Sequence, residues 1–105
     1  MDEALIGKWI EADDQSYPGL TFEFFPDGAF EANYDGLAIT SGGTYTTHGN
    51  EIDMNQTHHN FGLVGKFHGL FQVNGNELRM ILVATGEHDR PTDLTGAVIY
   101  YKSEK

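Results

Sequence analysis

Residues 48–60 read His48-Gly49-Asn50-Glu51-Ile52-Asp53-Met54-Asn55-Gln56-Thr57-His58-His59-Asn60. The first three turn the chain. From Glu51 to His58 the residues then alternate, with Ile52, Met54, Gln56 and His58 on one side and Glu51, Asp53, Asn55 and Thr57 on the other. A period of two is that of a half-buried β-strand, because successive side chains of an extended chain point to opposite faces.

The same rhythm, a short apolar run followed by a turn signal, continues in both directions. Toward the N-terminus stand Thr44–Thr47, rich in β-branched residues that suit a pleated surface, then Ala29–Tyr34, Leu20–Phe25 and Leu5–Glu11. Pro26-Asp27-Gly28 separates two of these, and Asp-Gly tolerates the positive φ of tight hairpin turns. Asp35-Gly36 is a second turn signal, followed by an expected loop through Ser41-Gly42-Gly43. Toward the C-terminus come Lys66–Val73, the hairpin signal Asn74-Gly75-Asn76, Glu77–Ala84, a loop over 85–93, and Leu94–Lys102. No segment longer than a turn shows a 3.6-residue period. Eight strands with short links predict an all-β fold, an eight-stranded antiparallel up-and-down meander, which removes its edges by closing into a barrel. A barrel of eight strands is filled by side chains or holds one small ligand.

The expected inward set is Trp9, Phe22, Phe24, Phe30, Ala32, Tyr34, Tyr45, Ile52, Met54, Phe67, Phe71, Leu78, Met80, Leu82, Val98 and Tyr100. The last two strands carry a second apolar face, with Ile81, Val83, Ala97, Ile99 and Tyr101. Such a face marks a contact: a homodimer interface on Ile81, Val83, Ile99 and Tyr101, or cover by a loop or the N-terminal segment.

Composition sets the outer limits. The 105 residues make one domain spanning 1–105, and 39% apolar residues are too many for a disordered chain. No apolar run is long enough for a membrane span. The absence of cysteine removes disulfides and thiol chemistry. Six Lys+Arg against sixteen Asp+Glu give a net charge of −10, so the basic footprint that nucleic acid or an anionic membrane requires is missing. An acidic surface favours cationic ligands. The start, Met1-Asp2-Glu3-Ala4, lacks the basic and apolar regions of a secretory leader. A cytoplasmic protein is expected if Met1 is the native start, and an exported one if a leader has been removed.

Gly7-Lys8-Trp9 in the first strand resembles the Gly-x-Trp of the lipocalins and their barrel relatives, the fatty-acid-binding proteins and avidins. Phe24-Phe25-Pro26-Asp27-Gly28-Ala29-Phe30 looks like the hairpin of small bacterial lipocalin-like domains, and Gly43-Thr44-Tyr45 and Tyr100-Tyr101-Lys102 fit the same pattern. The resemblance implies a calycin-type barrel with a binding role and names no ligand. The family sets an Arg over the Trp from its last strand; here that strand ends in Lys102, and the nearest Arg is Arg90 in the preceding loop. Thr92-Asp93-Leu94 half-matches the family's second motif.

Candidate chemistry is sparse. Five histidines offer His58, His68 and His88, with Asp89, as metal ligands, but no local spacing such as His-x-x-x-His joins them. The carboxylate pairs Asp13/Asp14, Glu51/Asp53 and Glu87/Asp89 fall in turns or on polar faces, which do not supply the two unlike environments that acid–base catalysis requires. Ser16, Ser41 and Ser103 lie in expected loops or the tail without a nucleophile elbow. An enzyme would have to work through the histidines. No cofactor is implied. The expected function is a non-enzymatic binding module, with an apolar or cationic ligand in the barrel mouth among Trp9, Tyr34, Gln56, His58, Phe71 and Tyr100. The alternative is a homodimeric interaction protein with a filled core.

Overall fold

The computed structural model describes residues 3–15, 17–34, 39–62 and 64–103; Ser16 and the Asp35-Gly36 turn signal lie outside them. Eight strands run in chain order: β1 (Gly7–Glu11), β2 (Thr21–Phe24), β3 (Ala29–Tyr34), β4 (Ile39–His48), β5 (Glu51–His59), β6 (Gly65–Asn74), β7 (Glu77–Ala84) and β8 (Val98–Lys102). Each pairs antiparallel with the next, and β1 with β8, so the sheet closes into an up-and-down barrel. No described residue is helical, so no helix is long and apolar enough to cross a membrane.

The turns follow their local chemistry. At Pro26-Asp27-Gly28 the Asp27 carboxylate accepts the Ala29 N–H at 3.0 Å, and the Gly28 N–H reaches Phe25 O at 3.2 Å. Hairpin turns β2–β3, β4–β5 and β6–β7 gather at one end with Gly7 and Lys102. The longer links 12–20, 60–64 and 85–97 gather at the other, which is the mouth.

The expected inward set, apart from Tyr34, forms the core. Trp9, Phe24, Phe30, Tyr45, Ile52, Met54, Phe71, Leu78, Met80 and Tyr100 make one buried cluster, with Phe22, Phe67, Leu82 and Val98 packed against it. Leu5 joins it although it precedes β1. The closed end is stitched around Trp9. Its indole N–H donates to Leu5 O at 2.8 Å, and the Lys102 ammonium stands 4.7 Å over the ring while donating to Ile6 O at 2.6 Å. The Lys102 aliphatic stem bridges the last strand to the first, and its charge meets the negative face of the indole.

Three expectations need correction. Ser41-Gly42-Gly43, read as a loop, lies inside β4, paired with Ala32, Glu31 and Phe30 of β3. Glycine is required there by close approach: a Cβ on Gly43 would fall well inside contact distance of the Asn55 carbonyl oxygen. Residues 94–97 belong to the β7–β8 link, not to β8. Finally, the alternation of β5 ends before His58. Gly43 faces Gln56 while Gly42 faces His58, leaving Thr57 as an extra residue in a bulge. A bulge reverses the parity beyond it, so His58 is exposed on the outer wall opposite Gly42, and His59 stands opposite Ser41.

The 85–97 link lies against the outer face of β5 and β6. Arg90 extends from it across β6 to β5, donating to Gly69 O at 2.9 Å, Ile52 O at 3.1 Å and the Asp53 carboxylate at 2.8 Å. His68 Nε2 donates to His88 O at 2.7 Å. This crossing accounts for the burial of Leu70, an outward residue between Glu51 and Ile81. The ion pairs of Arg90 face solvent and contribute little; its bonds to the two carbonyls carry the attachment. Arg90→Met is expected to cost about 1–2 kcal/mol and to speed amide hydrogen exchange over 85–97 while β1–β5 stay protected. Exchange that rises uniformly across the chain would show that Arg90 does not act locally.

Candidate functional site

Two spaces open among the residues that line the mouth half of the barrel. The β7–β8 ladder ends at Met80↔Val98, although β7 runs on to Ala84. Above that rung the two strands part, and a space of about 300 Å³ opens inward, lined by Glu11, Tyr17, Phe22, Leu82, Val98 and Tyr100 among others. A second space of about 210 Å³ lies toward β5, lined by Phe22, Phe30, Met54, Gln56, Phe67 and Leu82. Phe22 and Leu82 line both. Larger hollows of about 370 and 480 Å³ lie on the outer wall, the first beside Thr44, Asp53, Asn55 and Lys66 and the second beside Ile10, Asp13, Asp14 and Tyr101. Tyr45, Met54 and Phe67 also border the first, and Glu11 and Ala12 the second.

The aromatic wall is built by alternation. Phe22 and Phe24 stand on one face of β2, stacked at 5.9 Å, and Phe22 meets Tyr100 of β8 edge-on at 5.6 Å. Tyr17 of the 12–20 link leans edge-on against Tyr34 of β3 at 5.9 Å, spanning the mouth. The link is pinned beneath: Ala12 N–H donates to Ile99 O at 2.9 Å, and Ile99 N–H donates to Gln15 Oε1 at 3.3 Å.

Glu11 is the polar centre of this site. It ends β1 on the same side as Trp9, two residues on, and is 2% exposed. Its carboxylate accepts the Tyr17 N–H, and its backbone N–H donates to Leu20 O at 2.7 Å. Burial pushes its carboxyl pKa up, and the Tyr17 N–H pulls it part of the way back. Among the described residues no Lys, Arg or His pairs with it. Burial, and then the Glu11 charge, push the Tyr100 phenol well above the ordinary tyrosine range, so its hydroxyl stays protonated as a donor.

The expected ligand residues divide. Gln56 lines the space toward β5 and Tyr100 the mouth-side one, with Tyr34 against Tyr17. Trp9 and Phe71 are core residues that line neither. His58 is outside the barrel, turned there by the Thr57 bulge. Glu11 was not among the expected site residues, although its signal is visible: alternation through Gly7-Lys8-Trp9-Ile10-Glu11 puts it on the tryptophan's face. Of the metal candidates, His68 contacts the His88 backbone, and His58 lies on the β4–β5 wall. Among the described residues no three His, Asp or Glu side chains come together as a metal site. On the outer face Ile81, Val83 and Ile99 are half-buried, and Tyr101 is 51% exposed beside its partner Ile10, 36% exposed.

Comparison with known protein families, characterised proteins and solved structures finds no significant match. The fold and this cavity therefore carry the functional reading.

Proposed function

We propose that the chain is a non-enzymatic binding barrel of the lipocalin-like kind that holds one small molecule in the upper half of its interior. The observation that carries this is the pair of inner spaces sharing Phe22 and Leu82, apolar along their walls and with a few polar groups placed in them. Binding sites have that composition: apolar surface for affinity and a few convergent polar groups for orientation. The modest volumes limit the occupant to a compact molecule. The lipocalin-like reading is supported by Gly7-Lys8-Trp9 at the closed end and by Lys102, which puts a last-strand cation over the Trp9 ring. Lysine there does with an ammonium what the family does with a guanidinium.

Native mass spectrometry of protein purified without chelators tests the proposal. A monomer carrying a small-molecule adduct is expected. Leu82→Trp, which fills the space between the two cavities, should abolish the adduct while overpacking costs about 1–3 kcal/mol. A bare monomer that takes up nothing from a panel of compact apolar molecules would defeat the binding reading. A bare dimer would favour the second reading, a homodimer formed through the outer β1–β8 wall. The exposure of the paired Ile10 and Tyr101, next to Ile99, supports that reading.

A further inference from the structure

We propose that the mouth-side cavity selects a compact organic cation, an arylalkyl- or alkylammonium, with Glu11 as its counter-ion. The inference rests on the reading that the cavity is a ligand site, and goes beyond it by assigning the charge of the ligand. Glu11 is a carboxylate 2% exposed that lines a cavity of about 300 Å³ with no cationic side chain among the lining residues. Buried charges are ordinarily paired, because an isolated one loses its hydration with nothing in return. One carboxylate oxygen takes the Tyr17 N–H, and a single neutral donor does not neutralise a charge. An ammonium in the cavity would supply what is missing, with up to three N–H donors for the carboxylate and the neighbouring Tyr100 oxygen.

The rest of the cavity agrees. Phe22 and Tyr100, edge-to-face at 5.6 Å, present aromatic surface to the space, and ring faces attract cations. The adjoining space past Phe22 and Leu82 offers about 210 Å³ to an apolar tail. The net charge of −10 raises the local concentration of cations around the molecule. An anionic ligand would meet Glu11 in a desolvated setting, where like charges repel strongly.

Glu11 has a structural alternative role, holding the 12–20 link through Tyr17. Glu11→Gln separates the two, since the amide oxygen can still accept the Tyr17 N–H but carries no charge. Calorimetric titration at neutral pH with benzylamine, benzyl alcohol and benzoate decides the matter. Benzylammonium is expected to bind about tenfold or more tighter than the isosteric alcohol, benzoate not at all, and Glu11→Gln should bring the amine down to the alcohol. Amine and alcohol binding equally to the wild type would overturn the counter-ion assignment and leave the cavity reading standing. That comparison needs no variant, so it decides even if Glu11→Gln folds poorly. Failure of all three compounds to bind at millimolar concentration would overturn the assignment together with the cavity reading beneath it.

Discussion

Gly69→Ala should yield no cooperatively folded protein. Gly69 lies inside β6, facing Ile52 on one side and Leu82 on the other. A Cβ built on it would penetrate the Ile81 carbonyl oxygen, with the Ile81 carbonyl carbon at 2.8 Å and Leu82 Cα at 3.1 Å. All three are backbone atoms of the neighbouring strand. No side chain can rotate away, so relief requires β6 and β7 to separate at this rung. Glycine at such points is how a small barrel turns its corners. Clashes of this kind belong to the tail of mutational effects above about 4–5 kcal/mol, against a total stability of about 5–15 kcal/mol for a domain. The expected result is loss of the cooperative thermal transition in circular dichroism and of the dispersed amide spectrum. Gly43→Ala should behave alike, since its Cβ would strike the Asn55 carbonyl. A Gly69→Ala protein that melts within a few degrees of wild type would mean that the two strands can part cheaply there.

Trp9→Ala is the second large effect. Trp9 is 0% exposed and is held on three sides: by the core cluster, by the Leu5 carbonyl at 2.8 Å from its N–H, and by the Lys102 ammonium 4.7 Å over its ring. Removing the indole leaves a cavity, an unfilled acceptor and a lysine with one partner fewer. Aromatic-to-alanine changes in cores cost about 3–5 kcal/mol. Chemical denaturation should show the unfolding free energy lowered by that amount, read as a shifted midpoint with the slope unchanged. Trp9→Phe keeps most of the apolar volume but not the N–H, and should recover more than half of the loss. Because Trp9 lines neither inner space, Trp9→Phe should leave ligand uptake in the mouth intact. This pair of results would separate the closed end, which holds the fold, from the open end, which holds the site.

The architecture was legible wherever side chains alternate against a solvated face. Ile52, Met54 and Gln56 opposite Asp53 and Asn55 predict their strand without ambiguity, and Pro26-Asp27-Gly28 predicts its hairpin. Legibility failed where the backbone rather than the side chain carries the information. Ser41-Gly42-Gly43 has no apolar pattern, so it reads as a loop, yet it is strand because the barrel needs bare backbone beside Asn55. One extra residue, Thr57, undoes the parity argument for His58, and nothing in the composition of that segment marks the bulge. Gln56 and Tyr100 could be expected at the site because polar residues on an apolar face are unusual. Glu11 carries the same signal, but it ends its strand beside a polar stretch, where a carboxylate is ordinarily solvated. Its burial depends on the 12–20 link folding back over it, a long-range event that local pattern does not contain. Leu70 was missed for the same reason, since its cover comes from Arg90 and the residues around it.

The lacing of β8 to β1 also bears on how the chain reaches this structure. Lys102 reaches Ile6 across 96 positions of sequence, whereas every other ladder joins neighbours in the chain. Such a connection must overcome nearly the whole loop-closure entropy of the polypeptide before it is rewarded. The open eight-stranded meander can form from local hairpins, each nucleated at its own turn. Closure is the remaining, non-local step, and it ends with the lysine set over the indole.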